Sequence, residues 1–336
     1  MRPEPWRGAW VLVAITMVGG AVRLYGLATH SLWYDETSSL MFGERAVAWS
    51  RIASSEWLME VPGMAVISAL WVALVEVLHS GPRYAWSHDL LIRLFPWALG
   101  TLSIPMLYVV GRRWTDAPRA ALAAALLFAV NPFQVYYAQE FRTYAVLVVL
   151  WLGIAALLHT ALHANRTHAW LGLVLLQAAS LYTNFVTLWY VVALHVFFVV
   201  WWLVNRRHLL RWTLWHVGFV VLSLPAVASA IRLVAFFSEK TIDWFEPLTV
   251  KTGVITFKAL FAGYGYTPWA YWPAFLFGGA LALWGLVRLA QRRPLAAALF
   301  TLMLGLPIAV NWSVWSLNDY SWYQHRSFIV SGAFIL

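Results

Sequence analysis

Long apolar runs recur along the whole 336-residue chain, and charged residues are confined largely to the gaps between them. Crossing roughly 30 Å of hydrocarbon takes about 20 helical residues, and most of these runs approach that length. The pattern predicts spans at 10–27, 90–111, 117–135, 144–162, 169–182, 186–204, 212–234, 270–289 and 295–315, with a tenth beginning near Ser327. The expected fold is an all-α polytopic membrane bundle forming one catalytic domain over residues 1–336. The chain stops inside an apolar run at Ala333-Phe334-Ile335-Leu336, so that domain reads as C-terminally incomplete.

The gaps sort by charge. Arg112, Arg113 and Arg119 share one, Arg166 marks another, Arg206, Arg207 and Arg211 share a third, and Arg288, Arg292 and Arg293 a fourth. With Arg2 and Arg7 at the start, these form the cytoplasmic face by the positive-inside rule. The opposite gaps carry Asp35, Glu36, Glu44, Glu56, Glu60, Glu140, Glu239, Asp243, Glu246 and Asp319. Parity settles the reading of the apolar stretch 62–78. Counted as a span, it would put Arg112 and Arg113 outside and invert every later loop. It is short, follows Glu60 and carries Glu76, so it reads as a helix lying in the outer interface. The first external segment then runs from about residue 28 to 89 and includes an amphipathic helix over 36–52. The fourth, about 235–269, mixes aromatics with Lys240, Lys251 and Lys258. Connections this long are functional or disordered, and the aromatic content argues against disorder.

Composition agrees with the pattern. Hydrophobic residues make up 62% and charged residues 11%, which no soluble domain of this size shows. The 23 Trp and 14 Tyr suit interfacial belts. The net charge of +9 resides mainly in the orienting arginines, and no basic run is interleaved with aromatics as a nucleic-acid groove would be. With no cysteine, thiol catalysis, disulfides and cysteine-ligated metals are excluded. Arg7 precedes an apolar run without a convincing small-residue cleavage site, so that run is expected to stay as the first helix.

Against this background the chemistry-bearing residues are few. Asp35 and Glu36 sit side by side just outside the first span, where acids often serve only as solvated helix caps, and where two adjacent carboxylates beside a bilayer otherwise mark function. The second external loop, Asn131 to Tyr144, holds Glu140 and Arg142 in a very short segment, flanked by Tyr137 and Gln139. The bland reading is an interfacial ion pair in a tyrosine belt. The sharper one is a cationic anchor for a lipid phosphate with an acid beside it, since the planar guanidinium donates bidentate hydrogen bonds. His325 and Arg326 precede the last apolar run on the same face. His159, His195 and His216 lie in or near spans and read as satisfied interior side chains.

In their order along the chain these residues resemble a known family. Arg23-Leu24-Tyr25-Gly26-Leu27 runs into Trp33-Tyr34-Asp35-Glu36. Glu60-Val61-Pro62, an apolar helix and Leu91-Ile92-Arg93-Leu94 follow, then Gly111-Arg112-Arg113, Asn131-Pro132 and Gln139-Glu140-Phe141-Arg142-Thr143-Tyr144. The order is similar to the polyprenyl-phosphate-dependent glycosyltransferases of the GT-C superfamily, in the group of protein O-mannosyltransferases and lipid A aminoarabinose transferases. It is strong over about residues 20 to 150 and weak afterwards. The resemblance implies a helix bundle with juxtamembrane helices in the first external loop. It also implies an inverting transfer of a sugar from a polyprenyl-phosphate donor to a glycan, lipid or protein acceptor at the extracytoplasmic side of the plasma membrane. Asp35 matches the catalytic base and Glu36 its neighbour, Glu140 matches the second-loop acid, and Glu60 an acid leading into the interfacial helix. Val61 departs from the basic or proline-rich pattern of relatives, so donor phosphate binding is expected to fall to Arg142, Arg326 or Lys240. His325, Tyr137 and Gln139 are further candidates for substrate binding. No cofactor is assigned and a divalent cation stays open: Glu36, Glu60 and Glu140 are the groups that would make an oxygen-rich cation site, and zinc would add His325 or His30. Competing readings are a polytopic transporter or lipid flippase, and a non-catalytic subunit that keeps the fold. A transporter would place its polar residues near the bilayer midplane, whereas here they gather at one surface.

Overall fold

The structure, a computed structural model, describes residues 5–46, 62–79, 81, 85–238, 249–264, 268–316 and 324–335. It is all-helical, with no strand among the described residues. The helices are α1 (Pro5–Leu24), α2 (Tyr34–Ala46), α3 (Pro62–Leu78), α4 (Trp86–Thr115), α5 (Pro118–Val130), α6 (Pro132–Tyr137), α7 (Thr143–Ala164), α8 (Thr167–Thr183), α9 (Thr187–Asn205), α10 (Leu209–Ser238), α11 (Val250–Ala262), α12 (Pro268–Arg292), α13 (Pro294–Ser316) and α14 (Ile329–Ile335). A short 3₁₀ turn, His325–Phe328, leads into α14. The protein is a polytopic α-helical membrane protein. Among the described residues six helices, α4, α7, α9, α10, α12 and α13, are long and apolar enough to cross a bilayer. The apolar part of α1, together with α3 and α5, is shorter.

The sequence pattern treats 117–135 as one span, but the chain breaks there into α5 and α6. Pro132 has no N–H to continue a helix, and it holds Asn131 extended at φ −63° and ψ 120°. Asn131 then caps α6, its Oδ1 accepting from the Gln134 N–H at 3.0 Å. The break turns the second loop across the end of the bundle. The helix expected over 36–52 forms as α2, Tyr34–Ala46, and the rest of that interval lies outside the described residues. The apolar stretch 62–78 coincides with α3.

The main core is centred on α7. Trp151, Leu158, Trp170, Tyr190 and Phe197 are fully enclosed among α4, α8, α9, α13 and α14. Helix α14 is pinned there by Ser331, whose hydroxyl donates to Met303 O at 3.0 Å and whose N–H donates to the Tyr190 hydroxyl at 3.1 Å. That fixes the 3₁₀ turn in front of it. A second, smaller core joins Leu40 of α2, Met64, Val72 and Val75 of α3, Ile92 of α4, and Phe141. It docks α2 and α3 onto the bundle. Its approach to α8 is close: a Cβ on Gly63 would meet Tyr182 O at 2.5 Å.

The arginine-rich gaps share one face. Arg293 pairs with Asp116 at 3.0 Å, joining the gap after α12 to the gap after α4. Arg211 donates to the Thr167 hydroxyl at 2.6 Å and to Asn165 O at 3.2 Å, joining two others. Arg93 and Arg113 are separated by about 30 Å along α4, at 1.5 Å per residue, so this face lies one hydrocarbon thickness from the end of α4 that holds the acidic residues.

Candidate functional site

The site is built around a guanidinium that sequence reasoning left without a role. Arg93 enters α4 in its second turn, is buried, and lies in an apolar helix where a lone charge would be costly. It is fully engaged. Its Nε donates to Glu36 Oε1 at 2.9 Å and its Nη2 to Glu36 Oε2 at 2.6 Å. Its remaining donors reach Leu27 O at 3.0 Å, His30 O at 2.7 Å and Ser31 O at 3.2 Å. The chain between α1 and α2 is therefore wrapped on one side chain.

Glu36 is fully buried and takes two backbone donors besides Arg93, the Phe141 N–H at 2.8 Å and the Trp33 N–H at 3.3 Å. The Phe141 bond ties the second loop to the first. Gln139 adds another tie, its amide donating to Arg23 O at 2.9 Å and Tyr25 O at 2.8 Å, the carbonyls left open as α1 ends. Glu36 and Gln139 thus make contacts that hold the two loops together.

Asp35, the next residue, points elsewhere. Arg326 Nη1 donates to its Oδ2 at 2.9 Å, and Arg142 Nη2 lies 3.9 Å from the same oxygen. Arg142 also donates to Asp35 O at 3.0 Å and to the Ser39 hydroxyl at 2.8 Å. Arg326 is further oriented by a short hydrogen bond to Gln324 Oε1 and lies 6.0 Å from the Trp33 ring. Its neighbour His325 shares a hydrogen bond with the Thr256 hydroxyl of α11 at 2.8 Å. The carboxylate is one-fifth exposed, so a ligand can reach it.

Glu140 lies beside this group and is buried. Burial pushes its carboxyl up to about 7; the Tyr136 hydrogen bond opposes that, the charge of Glu36 adds to it, and Arg326 and Arg142 pull it back. Its Oε2 has no hydrogen-bond partner among the described residues. Around it stand tyrosines. The Tyr137 hydroxyl is 2.7 Å from that of Tyr264, and burial raises Tyr137 well above its ordinary value and Tyr264 to about 12, so both stay protonated. Tyr264 is brought in by Gly263, which adopts φ 69° where α11 ends against Pro132.

The structure thus brings together Asp35, Glu36, Glu140, Tyr137, Gln139, Arg142, His325 and Arg326. Glu60 and Lys240 lie outside the described residues. Among the described residues no three His, Asp or Glu side chains are grouped as ligands for a metal ion. Sequence reasoning gave no role to Arg93, Tyr136, Ser39, Thr256 or Tyr264. Arg93 carried a signal, since an arginine inside an apolar run demands a buried partner. The others depend on contacts between distant elements.

Residues 85–231 match the family model described as dolichyl-phosphate-mannose-protein mannosyltransferase. The match implies a membrane glycosyltransferase of the GT-C type, the group the sequence resembles. It runs from the start of α4 into α10 and so takes in Arg93, Glu140 and Arg142, while Asp35, Glu36 and Arg326 lie on either side of it. No curated protein matches the chain.

Proposed function

We propose that the chain transfers a sugar from a polyprenyl-phosphate carrier to an acceptor hydroxyl, with inversion, on the face opposite the arginine-rich loops. The observation that carries the reading is the sharing of Asp35 Oδ2 by Arg326 and Arg142. Glu36 and Arg93 cancel each other in a buried pair. That leaves two arginines against Asp35 and a Glu140 that is partly neutral near pH 7. The surplus positive charge suits a phosphate, and guanidinium is the group that binds phosphate bidentately.

In the reaction the acceptor oxygen attacks the anomeric carbon, and the bond from that carbon to the phosphate oxygen breaks on the opposite side. The proton of the hydroxyl passes to Asp35, and the electron pair of the broken bond leaves on the polyprenyl phosphate. Arg142 and Arg326 turn from Asp35 to the phosphate as the donor enters, which releases the carboxylate to act as base. Stabilising the charge that grows on the leaving phosphate is their contribution to rate. Glu36 and Arg93 hold the loops and take no part in proton transfer. By the positive-inside rule the face carrying Asp35 is extracytoplasmic.

The test is transfer in nanodiscs from a radiolabelled polyprenyl-phosphate sugar, with a nucleotide sugar in a parallel arm. Transfer from the lipid donor alone is expected. Direct use of the nucleotide sugar with the lipid donor inert would overturn the reading.

A further inference from the structure

Two tyrosine rings beside the arginines stay open while everything behind them is closed. Tyr136 is 49% exposed and Tyr264 37%, with ring centres 5.9 Å apart and planes at 75°. Behind them, Phe133 and Tyr137 are buried and pack edge-on or tilted against them at 5.0 to 5.7 Å. A rigid aromatic corner results. An ordinary interfacial belt presents tyrosines singly to lipid headgroups. Here Tyr136 instead stands within electrostatic reach of Glu140, and the Tyr264 hydroxyl lies 2.7 Å from that of Tyr137. Both open rings lie within the electrostatic reach of Arg326 and Glu140. Glu140 adds a buried oxygen, Oε2, with no hydrogen-bond partner among the described residues. A buried polar atom left unpaired is costly, and a ligand hydroxyl would relieve it.

We infer that Tyr136, Tyr264 and Glu140 form the subsite that takes the sugar ring of the lipid-linked donor. The inference rests on the glycosyltransferase reading above. A pyranose has an apolar C–H face that packs on an aromatic ring and a rim of hydroxyls that need acceptors and donors. The corner supplies the first and Glu140 the second. The location also suits: a sugar is attached directly to its phosphate, so its subsite must adjoin the phosphate anchors Arg142 and Arg326. Discrimination then arises as it does wherever a buried polar group is matched to one substrate hydroxyl, by leaving that group unpaired with the wrong ligand.

The experiment measures binding in nanodiscs of one short polyprenyl phosphate, bare or carrying mannose, glucose or galactose. Wild type is expected to bind at least one sugar-bearing lipid about tenfold more tightly than the bare lipid. Tyr136→Leu should erase that difference while leaving affinity for the bare lipid unchanged, and Glu140→Gln should erase part of it. Tyr136→Phe, which keeps the ring and serves if the leucine variant does not fold, should retain more of the difference than Glu140→Gln retains. Equal wild-type binding of all four lipids, or a Tyr136 variant that weakens bare and sugar-bearing lipids alike, overturns the inference. Arg142→Ala separates this from failure of the reading itself, since it must weaken all four lipids; if it weakens none, the glycosyltransferase reading fails.

Discussion

Arg326 Nη1 donates to Asp35 Oδ2 at 2.9 Å, closing a contact between residues 291 positions apart. The two come from the start of α2 and from the turn that precedes α14. They meet because Arg93 anchors one and α14 anchors the other. Under the proposed function, an incoming phosphate would take the guanidinium and free the Asp35 carboxylate to act as base.

Asp35→Asn is therefore expected to abolish transfer while leaving the donor bound. Asparagine keeps the shape and accepts from Arg326, but it cannot take the acceptor proton. Loss of a general base costs on the order of 10²–10⁴ in rate. The measurement is single-turnover transfer with donor affinity determined separately. Near-normal turnover would make Asp35 a structural acceptor for Arg326 and nothing more.

Glu36 should behave in the opposite way. Glu36→Gln or Arg93→Ala leaves a buried charge without its partner, and such changes cost about 3–5 kcal/mol. The expected result is a large drop in thermal midpoint in detergent. The double variant Glu36→Gln with Arg93→Met should be less damaging than the sum of Glu36→Gln and Arg93→Met made singly, since no charge is then stranded. If Glu36→Gln kept full stability and lost only turnover, Glu36 would join Asp35 in the chemistry.

The difference between these neighbouring acids marks where sequence stops informing. The polytopic class, the helix over 62–78, the acidic face and the arginine face could be read from periodicity and charge, because each is a local property of ten to twenty residues. The break at Asn131-Pro132 was also written locally, yet a continuous apolar run hid it. The partition of duties between Asp35 and Glu36 was not legible at all. It depends on which carboxylate faces Arg93 and which faces Arg326, and that is decided by helix phase and by contacts across 57 and 291 residues. Tyr264 was hidden for the same reason, its position being set by Gly263 folding against Pro132.

Glu140 predicts a dependence of stability on pH. Its ordinary value is 4.5 and in the folded protein it rises to about 7. The folded state therefore holds this proton over a window where the unfolded chain has lost it. Stability is fully present below about 4.5, falls as pH rises, and levels off above about 7. Glu140→Gln should flatten that part of the profile. Thermal midpoints between pH 5 and 8 for the two proteins check it, and parallel profiles would remove Glu140 as the cause.

The face assignment yields the last prediction. Arg113 and Asp35 sit at opposite ends of the bundle: Arg113 lies about 30 Å along α4 from Arg93, which is bonded to Glu36 beside Asp35. The chain has no cysteine, so single cysteines can be introduced on a silent background. A cysteine at Arg119, exposed in the first turn of α5 and outside the Arg293–Asp116 pair, should react with an impermeant maleimide only after the inner face is opened. One at Tyr34, exposed at the start of α2, should react from outside in intact cells. Because α3 is short and packs on α2, α4 and α8 at the same end as Asp35, the two positions must label from opposite sides. Labelling of both from one side would make α3 a crossing helix, and would move the arginine-rich gaps and the candidate site to the wrong faces together.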